Sequence, residues 1–529
     1  MINTINLLSE DQNKLIDDFA SCWNNNFSNL QDFLSNKFNI YSSVDVDIIH
    51  PYTQDWSNIS GFADILVKPI DAIECSIVFK IAYSCQIPIT VSAGQTNLTG
   101  SATPKEGIVL STSLLTSPDV KIDINNKEVT SPAGITLENL RKEILKQSNM
   151  QLFYPVDPTS RYDAYVGGTI SCNASGFIPG EQGATRYWVN GFDLILPNGN
   201  LIKVKRGQYN SKNSKFVICD EKNNIVIPVP NYKRPNIKNA SGPFSCDKGE
   251  IDFVDFIIGS EGIYGMLTSC NLKLINRPKE YLDLFISLEN ELSAVRFHDF
   301  LYDHFKGDMS QLSALEYFGY NCQSYMKHKD FLFNNKSDVG IYIQIPIYND
   351  TLDKKIIEWT DLFKQFNNSI NLEDIIVLND PLNWKKFFEA RHSIPDNALR
   401  RTRQLGGVSI ITDTIVPPNN FMQYLKSAHK VLQKSKIEYL LFGHLGDCHL
   451  HFHLIPNGKQ DKKCMEVYDY LVDTSSKLGG VYSAEHGTGK RKRNDFNKCY
   501  GNSAVKMVKK SKLAIDPDLI LNRGNIFID

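Results

Sequence analysis

Histidines are concentrated in one short segment of this 529-residue chain. Four of its 11 histidines fall within ten residues, at His444, His449, His451 and His453. If residues 449–453 form a strand, alternate side chains face the same way, and their imidazoles can converge on a metal ion. The downstream segment Ser483–Lys490 adds a carboxylate at Glu485 and another imidazole at His486. Together the two segments indicate a metal centre with a further imidazole beside it.

A second kind of chemistry is indicated by the loop Val91–Pro104, which consists largely of small residues. Gly94 and Gly100 can adopt positive φ angles, and because they lack side chains they expose successive backbone N–H groups. Hydroxyl and amide side chains add donors, so the loop is predicted to form an anion nest suited to a pyrophosphate. It has neither the Gly-Lys-Ser/Thr ending of a Walker loop nor Gly-x-Gly-x-x-Gly, which disfavours a kinase or a classical dinucleotide fold.

Two further segments share this character. Val166–Gly176 is rich in donors and poor in large side chains, and Pro155–Ser160 lies just before it. Ile258–Gly265 leads into a predicted strand and lets the backbone approach a ligand closely. One such loop is common, but several in one α/β domain predict a long ligand lying between them.

Helices and strands alternate in the part of the chain that must hold these loops. Ser9 with Gln12 three residues later predicts a capping box, which begins two amphipathic helices over residues 9–36. From Ala63 a β-α-β pattern begins, with a helix over Asp71–Ser84. Short strands then recur to about Asn276, at Gly107–Leu110, Gly191–Pro197, Asn200–Lys205 and Gly265–Leu274.

The pattern changes after Arg277. Longer helices alternate with strands, which predicts an α+β domain with an antiparallel sheet; the strands include Val339–Pro346, Val408–Val416 and Glu438–Phe442. Residues 206–250 are polar and rich in Asn, Lys and Pro, and are predicted to form a long surface insertion. The expected parts of the chain are residues 1–60, 61–276, 277–500 and 501–529.

Composition limits the class of protein. The chain has 57 Lys+Arg and 59 Asp+Glu, a net charge of −2, so it has no electrostatic reason to bind nucleic acid. No stretch approaches the roughly 18 apolar residues of a membrane helix, and the first residues lack the features of a signal peptide. The 11 cysteines include no Cys-x-x-Cys and favour a reducing compartment. We expect a cytoplasmic protein that binds no nucleic acid.

These motifs resemble those of the vanillyl-alcohol oxidase and p-cresol methylhydroxylase (PCMH) superfamily of flavoproteins. Within it they are similar to the branch of D-lactate dehydrogenase, the glycolate oxidase flavin subunit and D-2-hydroxyglutarate dehydrogenase. The similarity runs from Pro51–Trp56 to Leu521–Phe527. It implies an α+β fold, with a PCMH-type FAD-binding domain of two subdomains over 61–276 and an α+β cap domain with an antiparallel sheet over 277–500. Residues 1–60 and 501–529 would pack on the FAD-binding domain.

The resemblance places FAD against the three loops and the C-terminal segment. The implied cofactor contacts are Ser92, Ala93, Gly94, Gln95, Thr96, Asn97, Thr99, Gly100, Pro155, Asp157, Gly167, Gly168, Thr169, Ser171, Asn173, Gly176, Glu261, Gly262, Ile263 and Asn522.

The resemblance also implies the roles of the catalytic residues. In this branch two histidines and the Glu of a Glu-His-Gly motif hold a divalent metal, and here these are His444, His451 and Glu485. Such a set suits Zn²⁺ or Mn²⁺, whose open positions would bind the hydroxyl and carboxylate of the substrate. His486 would be the general base for the hydroxyl proton while the α-hydrogen leaves as hydride to the flavin. Arg391 lies where relatives place an Arg that clamps the substrate carboxylate.

The chain departs from the family pattern at several positions. Relatives carry Arg-Gly-Gly-Gly-Thr-Ser where this chain has Ser92–Asn97, so backbone donors must hold the pyrophosphate. With no His or Cys in that loop, FAD is expected to bind noncovalently. Cys448 and His449 replace Gly and Asn, and His453 replaces another Asn, which alters the substrate contacts or enlarges the metal shell. Ile411 replaces the Lys that binds the distal carboxylate in hydroxyglutarate enzymes, which favours a monocarboxylate such as D-lactate.

The sequence therefore predicts an FAD-dependent oxidoreductase that converts a D-2-hydroxy acid to the 2-oxo acid. Without an iron–sulfur motif, it must pass electrons to an external acceptor such as a quinone, a cytochrome, an electron-transfer flavoprotein or oxygen. One alternative is a sugar-alcohol or aldonolactone oxidase, which needs no His/His/Glu site, and another is a flavin-binding subunit without turnover. The sequence leaves open whether the protein forms a homodimer. It also leaves open whether Lys490–Arg493 makes a peripheral contact with the inner face of a membrane.

Overall fold

The computed structural model describes residues 1–220, 223–367 and 375–528. Its α-helices are Glu10–Ser21, Phe27–Phe38, Val46–Ile49, Ala72–Ser84, Leu137–Gln147, Val166–Cys172, Thr185–Trp188, Phe253–Ile257, Glu291–His304, Lys329–Leu332, Leu352–Phe366, Pro381–Gln404, Phe421–Ser435, Asp461–Lys477 and Arg493–Ile515. The last helix is interrupted at Gly501, whose φ and ψ angles are not helical. No helix among the described residues is both long enough and apolar enough to cross a bilayer.

The strands are arranged in sheets of two to seven strands. In chain order they are Ile2–Asn3, Tyr41–Ser43, Ile65–Lys68, Ile89–Ser92, Ile108–Ser111, Lys121–Asp123, Glu128–Pro132, Leu152–Phe153, Val189–Ile195, Leu201–Lys205, Lys215–Cys219, Asn224–Pro228, Met266–Lys273, Ile275–Asn276, Glu280–Leu288, Ala314–Phe318, Val339–Ile347, Ile375–Val377, Ile410–Ile411, Glu438–His444 and His449–Ile455.

The N-terminal helices begin with the predicted capping box. Ser9 Oγ accepts a hydrogen bond from the Gln12 N–H at 3.2 Å, and Gln12 Oε1 accepts one from the Ser9 N–H at 2.9 Å. The apolar faces of the two helices are buried, with Ile16, Leu30 and Leu34 in the same core as the helix that follows residue 71. The capping box and the amphipathic pattern thus fix where these helices begin and which side they bury.

A four-stranded sheet leads directly into the first glycine-rich loop. Three of its strands are parallel, and the strand Ile89–Ser92 ends at the loop. The C-terminal segment joins the free edge of this strand, where Ile89 pairs with Leu521 and the Asn522 N–H donates to the Ile89 carbonyl at 2.8 Å. The second glycine-rich run forms the helix Val166–Cys172, which packs on a separate five-stranded sheet.

The predicted antiparallel sheet after residue 277 is confirmed. Its seven strands occur in the order Ile375–Val377, Glu280–Leu288, Val339–Ile347, Ala314–Phe318, Glu438–His444, His449–Ile455 and Ile410–Ile411, and each neighbouring pair is antiparallel. Buried apolar side chains join one face to four helices and the other to the long helix Pro381–Gln404. The central strands position the histidine cluster.

The predicted strand Val408–Val416 is shorter than expected. Only Ile410–Ile411 pairs in a ladder, with His453 and Leu454. Beyond it, Asp413 accepts hydrogen bonds from Ser483 and from the His486 N–H, which draws this part of the chain toward the Ser483–Lys490 loop. Val408 is exposed and residues 412–416 are buried, and the polar residues in the middle of the run pair with the Ser483–Lys490 loop instead of extending the ladder.

Residues 206–250 differ from the surface insertion that their composition predicts, although residues 221–222 lie outside the described part. Lys215–Cys219 and Asn224–Pro228 form a hairpin, and the first of these strands also pairs with Ile2–Asn3. Downstream, Arg234 is buried and donates to backbone carbonyls, and the Lys238 side chain is only 2% exposed. Nearby carbonyls within the same segment satisfy Arg234, and carboxylates elsewhere in the chain pair with the charge of Lys238.

Candidate functional site

A cavity of about 590 Å³ joins the glycine-rich loops to the histidine cluster. The predicted residues that line it are Ala93, Gly94, Gln95, Thr96, Asn97, Asp157, Gly167, Gly168, Thr169, Ser171, Gly176, Glu261, Gly262, Arg391, His444, His451, Glu485, His486 and Asn522. The remaining predicted residues are buried but do not line it, namely Ser92, Thr99, Gly100, Pro155, Asn173 and Ile263. This volume lies within the usual range for sites that enclose an organic ligand.

The first loop presents a row of backbone donors to the cavity. Among the described residues, the N–H groups of Gly94–Leu98 have no hydrogen-bond acceptor within the chain. Side chains fix the shape of the loop: Asn97 Oδ1 accepts from the Thr99 N–H at 2.9 Å, and Gln95 Nε2 donates to the Pro51 carbonyl at 2.7 Å. A row of unpaired N–H groups binds anions well, so the geometry fits the predicted pyrophosphate nest.

Close contacts, one with backbone and one with a side chain, explain two of the glycines. A Cβ on Gly94 would lie 1.8 Å from the Asp163 carbonyl oxygen, which leaves no room for a side chain. A Cβ on Gly168 would lie 3.1 Å from that of Ala93, so the first and second glycine-rich loops face each other at this point. The two loops therefore form adjoining walls of the cavity.

Two polar side chains tie these loops to the C-terminal part of the chain. The buried Glu261 carboxylate accepts from Ser101 Oγ at 2.7 Å and from the Thr488 N–H at 2.5 Å. Asn522 Oδ1 accepts from the Val91 N–H at 2.9 Å, just before the first loop. Both residues line the cavity, and both also hold its walls together.

A tight hairpin brings the histidines together. His444 ends one strand and His449 begins the next, directly opposite it, and His451 follows on the same face. The ring centroid of His449 lies 5.6 Å from that of His444 and 4.5 Å from that of His451. His453 is equally buried, but it contacts Ser409 and does not line the cavity.

The two predicted metal-binding histidines are each held by an oxygen behind the ring. His444 Nδ1 lies 2.7 Å from Glu316 Oε1, and His451 Nδ1 donates to the Thr412 carbonyl at 2.9 Å. The opposite nitrogens face Glu485, with His444 Nε2 3.3 Å from Oε1 and His451 Nε2 3.9 Å from Oε2. Metal-binding histidines usually have such an acceptor behind them, so this donor set fits a divalent metal.

Opposite charges surround Glu485. Lys238 Nζ lies 2.5 Å from its Oε1, and although burial opposes ionisation, His444 and Lys238 hold the pKa of Glu485 well below its ordinary value. Burial also disfavours the charged form of His444 and so lowers its pKa. Glu316 and Glu485 outweigh this effect and raise the pKa of His444 to about 10. Without a metal, the cluster is therefore a network of buried ion pairs.

His486 lies beside His451 on the cavity wall. The two rings are nearly parallel, with centroids 5.6 Å apart, and His486 Nδ1 lies 3.5 Å from Asp413 Oδ2. Asp413 is fully buried and also accepts from Ser483 Oγ at 2.6 Å. Burial lowers the pKa of His486 although Asp413 opposes this, so the imidazole is suited to accept a proton.

Arg391 reaches the cavity from the helix Pro381–Gln404. Its Nη2 lies 3.3 Å from Glu316 Oε2, and its guanidinium lies over the Phe177 ring, 4.7 Å from the centroid. Glu316 therefore contacts both the predicted carboxylate-binding Arg391 and the predicted metal ligand His444. These contacts orient the two side chains toward one region of the cavity.

Three charged residues of the site were not predicted from the sequence. Glu316 lies in the apolar strand Ala314–Phe318 and Asp413 in a run of Ile, Thr and Val, so a lone carboxylate in an apolar β segment is the signal that could have identified them. Lys238 gives no such signal, because it lies in a segment rich in Asn, Lys and Pro and not in an apolar run.

Comparison with known proteins identifies two family domains. Residues 63–205 match the FAD binding domain, and residues 336–526 match the C-terminal domain of FAD linked oxidases. The chain is 24% identical to D-lactate dehydrogenase of Anaerostipes hadrus, over 91% of this chain and 93% of that protein. It is 24% identical to glycolate oxidase subunit GlcD of Bacillus subtilis, with coverages of 88% and 89%. It is 21% identical to D-2-hydroxyglutarate dehydrogenase of Stutzerimonas stutzeri, with coverages of 92% and 95%.

Solved structures share the fold. p-Cresol methylhydroxylase superposes with a TM-score of 0.66 at 16% identity, covering 99% of this chain and 98% of that one. Alkyldihydroxyacetonephosphate synthase superposes with a TM-score of 0.64 at 14% identity, with coverages of 91% and 81%. The predicted α+β fold with a PCMH-type FAD-binding domain is thereby confirmed. The chain therefore carries both an FAD binding domain and the C-terminal domain of FAD linked oxidases.

Proposed function

We propose that this flavin enzyme oxidises a D-2-hydroxy monocarboxylic acid to the 2-oxo acid with the help of a divalent metal. One observation carries the proposal. The unpaired N–H groups of Gly94–Leu98 and the cluster of His444, His451 and Glu485 open onto the same cavity. A flavin held by the first would therefore share an enclosed space with a substrate held by the second. Relatives named for D-lactate and D-2-hydroxyglutarate support D-2-hydroxy acids as the broader substrate class.

The chain's own residues would hold both groups. FAD, bound noncovalently against the glycine-rich loops, would supply a two-electron acceptor for the hydrogen on the hydroxyl-bearing carbon. A Zn²⁺ or Mn²⁺ ion held by His444, His451 and Glu485 would lower the pKa of the substrate hydroxyl. Glu316 and the Thr412 carbonyl keep the two imidazoles oriented for this role.

Two side chains would act on the substrate directly. The Arg391 guanidinium, already oriented by Glu316, would bind the substrate carboxylate through paired hydrogen bonds. His486 Nδ1 faces Asp413, which leaves Nε2 to accept the hydroxyl proton. The buried Asp413 carboxylate would stabilise the imidazolium that forms, much as a buried carboxylate does for other catalytic histidines.

The charges that line the cavity favour a monocarboxylate. Among the described lining residues, Arg391 is the one Lys or Arg side chain, and Ile411 lies on the same wall. A second carboxylate on the substrate would have no cation to pair with, and burying an unpaired charge is costly. The enzyme should therefore prefer D-lactate over D-2-hydroxyglutarate, with an external electron acceptor completing turnover.

Anaerobic flavin reduction tests the proposal directly. The purified protein should show a flavin absorption spectrum, and D-lactate should bleach it when Zn²⁺ or Mn²⁺ is present. Chelation of the metal should slow the bleaching, and readdition should restore it. L-Lactate is the stereochemical control and D-2-hydroxyglutarate the control for a second carboxylate. A bound flavin that no D-2-hydroxy acid reduces in either metal state would rule out this function and favour an aldonolactone oxidase or a non-catalytic subunit.

A further inference from the structure

One buried histidine in the cluster has no place in the proposed reaction. His449 is fully buried, and it begins the strand that carries His451. Neither ring nitrogen has a hydrogen-bond partner among the described residues, although Nε2 lies 3.1 Å from Asp413 Oδ1. A buried imidazole nitrogen without a partner is costly, so its presence calls for a ligand.

The position of His449 matches that of the two predicted metal-binding histidines. His444, His449, His451 and Glu485 each offer one donor atom, and all four atoms lie within 4.8 Å of one another. A tetrahedral ion with Zn–N and Zn–O bonds of about 2.0–2.2 Å holds its donors roughly 3.3–3.6 Å apart, so the four atoms must close in by about 1.2–1.5 Å at most to share one ion. Side-chain movements of that size, without a change in the register of the hairpin, would bring His449 to an ion held by the other three.

The environment behind His449 also matches. Glu316 lies behind His444 and the Thr412 carbonyl behind His451, and Asp413 Oδ1 lies 3.1 Å from His449 Nε2. Asp413 is fully buried and is fixed by the Ser483 hydroxyl, so it places a carboxylate beside the His449 ring. A carboxylate behind an imidazole is the usual support of a metal-binding histidine.

We infer that His449 is a fourth protein ligand, so that the divalent metal is held by three imidazoles and one carboxylate. This inference rests on the metal site of the proposed function and deepens it. Four protein ligands would bind the ion more tightly than three. Substrate oxygens could then join only by expanding the coordination number to five or six.

Metal affinity and spectroscopy test this without reference to turnover. The holoprotein, stripped of metal with a chelator, is titrated with Co²⁺, whose visible absorption reports the ligand geometry. His449→Asn should weaken Co²⁺ binding by at least about 10-fold and change the spectrum. The matched control is His453→Asn, because His453 lies on the same strand and is equally buried but outside the cluster. It should leave both affinity and spectrum unchanged.

Several other outcomes would overturn the inference. Unchanged affinity in His449→Asn, or equal losses in both variants, would overturn the inference, since strand packing would then explain any effect. X-ray absorption spectroscopy of the Zn²⁺-loaded wild-type protein needs no variant and should detect three imidazole ligands. Detection of only two would also overturn the inference. Failure of the wild type to bind any metal would overturn it as well. Flavin reduction by D-lactate tests the proposed function separately, since it can succeed while His449 proves not to be a ligand.

Discussion

Lys238 Nζ lies 2.5 Å from Glu485 Oε1 and 3.2 Å from Asp447 Oδ2, within a network that holds a predicted metal ligand. Lys238 and Asp447 are 209 positions apart in the chain. The Lys238 side chain is 2% exposed, and despite its burial the two carboxylates raise its pKa. The ammonium therefore contacts the same Glu485 oxygen that lies 3.3 Å from His444 Nε2.

Substitution of Lys238 by Met should destabilise the apoprotein. Removal of the ammonium leaves the buried carboxylates of Glu485 and Asp447 without their cation. We therefore expect a loss of about 3 kcal/mol in the free energy of unfolding. Added Zn²⁺ should reduce this loss, because the ion supplies positive charge to Glu485. Urea unfolding with and without Zn²⁺ measures both effects.

The control is Lys354→Met, which removes an exposed ion pair of similar length. Lys354 Nζ lies 2.6 Å from Asp350, with side chains 70% and 34% exposed. Its loss should have little effect on the free energy of unfolding, because solvent screens exposed ion pairs. Equal effects of the two substitutions would show that burial of the Lys238 pair contributes nothing.

Replacement of Arg391 by Met should weaken substrate binding. Loss of charge-assisted hydrogen bonds to a carboxylate should lower kcat/KM for D-lactate by roughly 10- to 100-fold, mainly through KM. Steady-state kinetics at saturating electron acceptor measure this. Arg400→Met, on the same helix and in contact with Asn397, is the control and should behave as wild type. An unchanged KM in Arg391→Met would mean that another group binds the carboxylate.

Replacement of His486 by Asn should remove the proton acceptor. We expect the rate of flavin reduction to fall by roughly 10²- to 10⁴-fold, with flavin content unchanged, because loss of a positioned general base has that effect. Anaerobic stopped-flow absorbance measures the rate. His328→Asn is the control, since His328 pairs with Glu389 at the surface. If His486→Asn reduced its flavin at the wild-type rate, another group would have to act as base.

Substitution of Gly94 by Ala should impair flavin binding. The added Cβ would lie 1.8 Å from the Asp163 carbonyl oxygen, so the loop must shift and its row of N–H groups must lose its alignment. We expect less than one flavin per protein after purification. The ratio of flavin absorbance in the visible range to protein absorbance in the ultraviolet measures this. Retention of full flavin content with an unchanged circular dichroism spectrum would show that the loop tolerates the shift.

Local sequence patterns predicted the elements that carry the site. The Ser9–Gln12 capping box, the glycine-rich loops and the hairpin of alternating histidines each depend on residues close in sequence, so spacing alone was informative. Gly94 likewise stands out in the sequence as a small residue, although the Asp163 carbonyl that excludes a side chain there lies far from it in the chain.

The supporting charges could not be predicted in the same way. Asp413 acquires its role from Ser483 and His486, which are about 70 residues away, and Lys238 acquires its role from still more distant carboxylates. The polar composition around Lys238 predicts exposure, since lysine is rarely buried without a partner and the partners are not visible locally. Burial of charge depends on tertiary pairing, which single-sequence patterns do not encode.

The return of the C-terminal segment has a consequence for biosynthesis. Leu521 pairs with Ile89, and Asn522 accepts from the Val91 N–H at the start of the first glycine-rich loop. The wall of the cavity formed by this loop is therefore incomplete until residues 521–522 have been translated, more than 400 positions after the loop itself. A nascent chain that already displays the first glycine-rich loop still lacks these contacts, so the cofactor should be captured late, after both domains have been made.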